Sequence, residues 1–125
     1  MRVDGGVRAL VIEDDPASRD LFRDVLADAQ IDSVCVDHDA LPAPDGFTVV
    51  VSDLPTLNGH YSTAEARAWV TDLRQRYGAP VIIVTGRSEA TYDGALARDV
   101  WSVVAKPLDI DDLVARVRAA RMVDA

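Results

Sequence analysis

Short apolar runs rich in β-branched residues recur along the chain, and turn or helix signals separate them. Runs of this kind are typical of strands that are buried on both faces of a sheet. The third run is rich in β-branched residues and stops on a carboxylate, Asp53. The pattern predicts strands at residues 7–12, 31–36, 47–53, 81–84 and 100–105.

A helix is predicted directly after the first strand. Asp15 followed by Pro16 is a typical helix start, because Asp caps the first turn and Pro fits the first helical position. The apolar residues that follow have the period of an α-helix, which predicts a stripe packed on the sheet. The predicted apolar face consists of Leu21, Phe22, Val25, Leu26 and Ala29.

A further helix is predicted between Ser62 and Gly78. Ser62 and Glu65 have the spacing of a capping box, and Gly78 is a typical helix end. Trp69 falls on the apolar face of this helix. We therefore interpret Trp69 as a core residue rather than as a platform for a ligand.

Two more helices are predicted in the last third of the chain. The first, near residues 90–97, is weak because it contains Gly94, which has a low helix propensity. The second begins after Asp109, which has the position of a helix cap. Its predicted apolar face consists of Ile110, Leu113, Val114 and Val117.

Residues 37–46, the connecting segment, contain two prolines and a glycine and leave no room for a helix. A parallel crossover normally contains one. We predict a helix-free connection in extended form, held by few buried contacts because it lays no apolar stripe over the sheet. The other strands and helices alternate, which predicts an α/β fold with a parallel sheet and right-handed crossovers.

Composition and charge narrow the class of protein. The 125 residues suit one domain, which we place at residues 1–125, and a hydrophobic content of 49% is that of a globular chain. The net charge of −8 disfavours binding to nucleic acid and to anionic membranes. No apolar run approaches the ~20 residues of a membrane span and no signal peptide is recognisable, so we expect a cytoplasmic protein. The single cysteine, Cys35, is interpreted as a buried thiol without chemistry.

Polar side chains follow four of the predicted strands. Glu13 and Asp14 follow the first, Asp53 ends the third, Thr85 follows the fourth and Lys106 follows the fifth. Each has an ordinary explanation by itself, as a cap neighbour, a turn hydroxyl or a surface cation. In an open α/β sheet, however, all four positions lie on the edge where ligands bind. We therefore predict that they form one functional site.

The residue types in this predicted site suit one reaction. Crowded carboxylates repel each other unless a cation joins them, and hard oxygen ligands suit Mg²⁺. Asp53 would then be an ionised nucleophile, and a metal, an ammonium and a hydroxyl could neutralise the oxygens of a phosphoryl group. The predicted product is an aspartyl phosphate.

The motifs resemble those of the receiver domains of bacterial two-component response regulators. The matching stretches, in order, are VIEDDP with Arg19 after it, the strand that ends in Asp53, VIIVTG, and AKPLDIDDLVARVR around Lys106. The resemblance implies a flavodoxin-like, doubly wound sheet of five parallel strands in the order 2-1-3-4-5. Helices would cover both faces, with a loop in place of the second helix.

The resemblance also implies the role of each site residue. Asp53 would accept a phosphoryl group from the phosphohistidine of a sensor histidine kinase or a phosphotransfer protein. Thr85 and Lys106 would hold the phosphoryl oxygens, and the bond between Lys106 and Pro107 would be cis. The domain would modulate a downstream protein target and would be no enzyme beyond its own phosphotransfer and dephosphorylation. The implied Mg²⁺ ligands are Asp14, Glu13 through water, Asp53 and the carbonyl of Pro55.

Two alternatives remain open on the sequence. The loop after Asp53 is about two residues shorter than in the family, and Val103 stands where the family usually has a switching Tyr or Phe. Both departures favour a degenerate receiver that acts as a phosphorylation-independent interaction module. A flavin-binding domain of the same topology is disfavoured, because the first strand leads into acids rather than into a phosphate-binding loop.

The C-terminal third resembles receivers of the winged-helix transcription-regulator subfamily, which pair through their fourth helix, fifth strand and fifth helix. Arg116 stands at the position of an arginine that forms ion pairs in such dimers. Its acidic partners would stand at Trp101 and Ser102 in this chain. We therefore expect that phosphorylation does not drive this dimer and that the face around Trp101 contacts a different protein.

Overall fold

The computed structural model describes residues 6–55 and 60–120, and the short apolar runs of the sequence form its strands. They lie parallel in the order β2-β1-β3-β4-β5, with β3 at the centre and β2 and β5 at the edges. The predicted sheet and its strand order are confirmed. The strands are β1 (Arg8–Ile12), β2 (Asp32–Val36), β3 (Val49–Ser52), β4 (Val81–Thr85) and β5 (Ser102–Ala105).

Side-chain caps determine where the longer helices begin. Asp15, Ser62 and Asp109 each accept a hydrogen bond from a backbone N–H three residues further on, as expected of N-cap residues. Gly78 ends its helix in the left-handed conformation with φ 60°. The helices are α1 (Pro16–Asp28), α2 (Thr63–Tyr77), α3 (Ser88–Thr91), α4 (Gly94–Asp99) and α5 (Ile110–Ala119).

The helices cover both faces of the sheet, as predicted. Helices α1 and α5 pack on one face and helices α2 and α4 on the other. The central strand β3 divides its side chains between the two cores, because successive residues of a strand point to opposite faces. Val49 and Val51 join the first core, and Val50 joins the second. None of the described helices is both long and apolar enough to cross a membrane.

The connecting segment between β2 and β3 contains no helix, as predicted. It is nevertheless held at more points than the sequence suggested. Leu41 packs against the second core, and the hydroxyl of Tyr77 donates a hydrogen bond of 2.6 Å to the carbonyl of Pro42. Arg8 contacts the carboxylate of Asp45 at 3.0 Å. These contacts come from elements that are distant in the sequence, so local sequence patterns do not reveal them.

Three details differ from the sequence-based expectations. Leu21 and Ile110, placed on apolar helix faces, are 50% and 44% exposed, because each lies at the edge of its stripe. The helix predicted at residues 90–97 is two short helices, α3 and α4. Asp93 separates them, because its side chain accepts hydrogen bonds from the N–H groups of Ala95 and Leu96 and so begins a new helix.

Candidate functional site

The carboxyl edge of the sheet, where the strands end, brings the predicted site residues together. Asp53 follows β3, and its Oδ2 lies 3.5 Å from the backbone nitrogen of Asp14, which follows β1. Lys106, after β5, donates a hydrogen bond of 2.8 Å to Glu13. Thr85 is the last residue of β4. We refer to Glu13, Asp14 and Asp53 as the acidic site.

Backbone hydrogen bonds hold the acidic site at the centre of the sheet. The N–H of Glu13 donates to the carbonyl of Val36 at 2.9 Å, and the N–H of Asp53 donates to that of Ile12 at 3.0 Å. The guanidinium of Arg19 donates to the carbonyls of Glu13 and Asp14 at 2.9 and 3.0 Å. Arg19 therefore fixes the turn that carries both acids.

A residue that sequence reasoning missed, His38, lies between two of the acids. Its Nδ1 is 2.9 Å from Oδ2 of Asp14, and its Nε2 contacts Oδ1 of Asp53. Its backbone N–H also donates to Oδ1 of Asp14 at 3.3 Å. The side chains of His38 and Asp53 are only 14% and 15% exposed, so the contact is largely shielded from water.

A signal for His38 was present in the sequence. It is the second residue after β2, and β2 is parallel to the other strands, so its carboxyl end meets the same edge. The strand-end argument that identified Asp53 applies equally to this strand. Residues 37–46 have no strand or helix pattern of their own, so only the position of His38 relative to β2 indicates its place at this edge.

Burial and neighbouring charges perturb the acids of the site. Burial, reinforced by the nearby carboxyl of Glu13, raises the pKa of Asp53 to about 6, although His38 opposes the rise. Burial also raises the pKa of Glu13, but hydrogen bonds, above all from the Lys106 ammonium, outweigh it and leave that pKa below its usual value. Glu13 is thus held as the ionised partner of Lys106.

Thr85 and Lys106 keep groups that can contact an anion. Thr85 is 3% exposed, and its hydroxyl oxygen accepts the N–H of Arg87 at 3.0 Å, which leaves its own O–H proton free to donate. The Lys106 side chain is 34% exposed beside Glu13. The peptide bond between Lys106 and Pro107 is cis, as the resemblance implied.

Trp69 is partly exposed, and it contacts residues around the acidic site as well as the core. Its indole N–H donates to Oγ of Ser52 at 2.9 Å, next to Asp53 in the chain. Its ring meets that of His38 edge to face, with centroids 5.4 Å apart. It also lines an apolar groove of about 310 Å³ that extends past Pro55. The interpretation of Trp69 as a core residue alone is therefore incomplete.

The donor set of the acidic site consists of carboxylate oxygens, with the carbonyl of Pro55 close by in sequence, and hard oxygen donors fit Mg²⁺. In the described parts of the chain, no three His, Cys, Asp or Glu side chains are arranged to hold a metal ion. His38 contacts Asp14 and Asp53, and Lys106 contacts Glu13. The shortened loop includes residues 56–59, which lie outside the described residues.

The chain is similar in sequence to bacterial regulatory proteins. The chain is 35% identical over 121 residues to the transcriptional regulatory protein TcrA of Mycobacterium tuberculosis, covering 91% of this chain and 46% of TcrA. It is 34% identical over 82 residues to the response regulator ArlR of Staphylococcus epidermidis, covering 64% of this chain and 34% of ArlR. No family model matches the chain.

Among solved structures, the response regulator TrrA of Thermotoga maritima, in complex with Mg²⁺ and BeF, superposes with a TM-score of 0.66 and 18% identity. The alignment covers 90% of this chain and 96% of TrrA. The chain is thus a receiver domain of the response regulator type, as its motifs predicted. It spans less than half the length of TcrA and ArlR.

Proposed function

We propose that this domain accepts a phosphoryl group on Asp53, in the presence of Mg²⁺, from the phosphohistidine of a sensor kinase or a phosphotransfer protein. One observation above all supports this proposal. Asp53 is a nearly buried carboxyl at the centre of the carboxyl edge, beside two further acids, while Thr85 ends β4 and Lys106 follows β5. This is the set of groups that phosphoryl transfer to a carboxylate requires.

In the proposed reaction, a carboxylate oxygen of Asp53 attacks the phosphorus atom of the donor. The new P–O bond forms as the P–N bond to the donor imidazole breaks, and the imidazole leaves with the electron pair of that bond. The ammonium of Lys106 and the hydroxyl of Thr85 bind phosphoryl oxygens, where charge accumulates. Glu13, Asp14, Asp53 and the carbonyl of Pro55 would hold Mg²⁺, which when bound supplies positive charge against the phosphoryl oxygens.

The phosphorylated domain would then bind a protein target differently from the unphosphorylated one. We expect this encounter in the cytoplasm, without direct contact of the domain with nucleic acid or membrane, as the net charge of −8 suggests. The alternative, a phosphorylation-independent interaction module, is favoured by the short loop after Asp53 and by Val103, which lacks the aromatic ring of a rotating switch.

Intact mass spectrometry after incubation with Mg²⁺ and acetyl phosphate tests the proposal. We expect the mass of one phosphoryl group to be added, and we expect no addition when Mg²⁺ is chelated. Asp53→Asn should abolish the addition, because an amide is no nucleophile. Asp14→Asn should raise the Mg²⁺ concentration required, because it removes an anionic ligand.

Asp39→Asn provides a matched control, since it neutralises an exposed acid of the connecting segment. This variant should be labelled like the parent chain. Labelling of Asp53→Asn at the same rate would refute the assignment of Asp53. Absence of labelling in the parent chain at saturating Mg²⁺ would favour the interaction module instead.

A further inference from the structure

His38 places an imidazole in the space between the carboxyl groups of Asp14 and Asp53. Its two ring nitrogens face one carboxylate each, at 2.9 Å from Asp14 and in direct contact with Asp53. Each of the two carboxylates therefore has a ring nitrogen of His38 as its partner.

The contacts occupy the oxygens that the proposed function needs. Both carboxylate oxygens of Asp14 face His38, one through the backbone N–H and one through Nδ1. One oxygen of Asp53 contacts Nε2, and the other faces the backbone N–H of Asp14 at 3.5 Å. The ring thus fills the space between the two carboxylates that would hold the ion.

The position of His38 is built into the fold. The residue is the second after β2, so the sheet fixes the chain on one side of it. On the other side, the Tyr77 hydroxyl holds the carbonyl of Pro42 at 2.6 Å. Trp69 supports the ring edge to face, and its own indole is held by Ser52 at 2.9 Å. The imidazole is therefore held at the acidic site by packing and by hydrogen bonds.

The connecting segment contains no helix, so His38 can move out of the acidic site without the unfolding of a helix. From these relationships, and on the basis of the proposed function, we propose that His38 is a built-in competitor of the metal ion. Its imidazole occupies the acidic site in the resting domain and must be displaced before Asp14 and Asp53 bind Mg²⁺.

With a competitor of this kind, the apparent association constant for the metal equals the intrinsic constant multiplied by the fraction of molecules in which the site is open. If His38 closes the site in roughly nine of ten molecules, its removal strengthens Mg²⁺ binding about tenfold. A residue that helped to ligate the metal would have the opposite effect on removal. The direction of the change therefore distinguishes a competitor from a ligand.

The test is titration of the full 125-residue chain with Mg²⁺ alone, without a phosphodonor, by isothermal calorimetry. We expect His38→Ala to bind Mg²⁺ about tenfold more tightly than the parent chain. His38→Asn, which is polar but too short to bridge two carboxylates, should show the same gain. His60→Ala replaces the other of the two histidines of the chain and should leave the affinity unchanged.

Trp69 provides a second measurement, because it is in ring contact with His38. In a Trp101→Phe background it is the only tryptophan of the chain, which contains two. Mg²⁺ should change its fluorescence as the imidazole departs, and His38→Ala should show the altered signal before metal is added. Unchanged or weaker Mg²⁺ binding in both His38 variants would overturn the inference.

The two experiments distinguish a failure of the competitor role of His38 from a failure of the proposed phosphoacceptor function. If the parent chain is labelled by acetyl phosphate but His38→Ala binds Mg²⁺ no better, only the competitor role of His38 is wrong. If no labelling occurs but His38→Ala binds Mg²⁺ more tightly, only the phosphoacceptor role is wrong. Failure of every variant to bind Mg²⁺ would overturn both.

Discussion

The ammonium nitrogen of Lys106 lies 2.8 Å from Oε1 of Glu13, although 93 positions separate the two residues in the chain. The Glu13 side chain is 5% exposed and that of Lys106 is 34% exposed, so the pair is partly shielded from water. Loss of the ammonium would leave a buried carboxylate without its cation. Such a loss costs more than the loss of a surface ion pair.

Lys106→Ala is therefore expected to lower the free energy of unfolding by about 1–3 kcal/mol. Partial exposure of Lys106 keeps this below the loss of ~3–5 kcal/mol typical of a fully buried pair. Arg67→Ala is the matched control, since it removes an ion pair with Asp99 in which the arginine is half exposed, and it should lower stability less than Lys106→Ala does. Urea denaturation at neutral pH measures both. Equal losses of unfolding free energy in the two variants would mean that the pair between Glu13 and Lys106 stabilises the fold no more than the pair between Arg67 and Asp99.

Asp93 joins the start of α2 to the start of α4. Its carboxylate accepts hydrogen bonds from the hydroxyls of Tyr61 and Thr63, both at 2.6 Å, and from the N–H groups of Ala95 and Leu96. The bonds from Thr63 and Tyr61 lower the pKa of Asp93 to about 2. A lowered pKa means that the ionised form stabilises the folded state.

Asp93→Ala is expected to lower stability at neutral pH by about 0.5–2 kcal/mol from the lost helix cap alone. The stabilisation from ionised Asp93 is fully present above its ordinary pKa of 3.8 and is lost as the pH falls towards about 2. The difference between parent and variant should therefore shrink across that range. Thermal denaturation at a series of pH values measures it, and a difference independent of pH would count against the assignment.

The hydrogen bond from Tyr77 to Pro42 is expected to restrain the connecting segment. Tyr77→Phe removes only the hydroxyl, so amide hydrogen exchange should become faster at residues 39–45, while stability falls by about 1 kcal/mol. Tyr92→Phe is the control, because Tyr92 is 88% exposed and should change neither quantity. Unchanged exchange in Tyr77→Phe would mean that other contacts hold the segment.

The chain is not expected to dimerise through Arg116. Arg116 forms an ion pair of 2.8 Å with Asp112 on its own helix, and Trp101 is 41% exposed. We expect the chain to remain monomeric when Mg²⁺ and beryllium fluoride mimic phosphorylation, because Trp101 and Ser102 cannot supply the acidic partners for Arg116. Sedimentation velocity measures this. A dimer that Arg116→Ala abolishes would refute the prediction.

The sequence determined the elements of this fold, because their signals are local. The apolar runs, the caps at Asp15, Ser62 and Asp109, and the end at Gly78 each involve only residues close together in the chain. The absence of a helix in the connecting segment follows in the same way from its prolines and its length. Acids that directly follow strands were also recognisable, since the ends of parallel strands share one edge.

The tertiary structure alone decided which partners meet at that edge. His38 reaches Asp53 across 15 positions, and Lys106 pairs with Glu13 rather than with Asp53. Which face of a helix is buried also depends on neighbours, as the exposure of Leu21 shows. Local patterns determine where a side chain leaves the backbone, but the packing of distant elements determines which atoms it contacts. For this reason the acidic site was predictable from the sequence, whereas the imidazole within it was not.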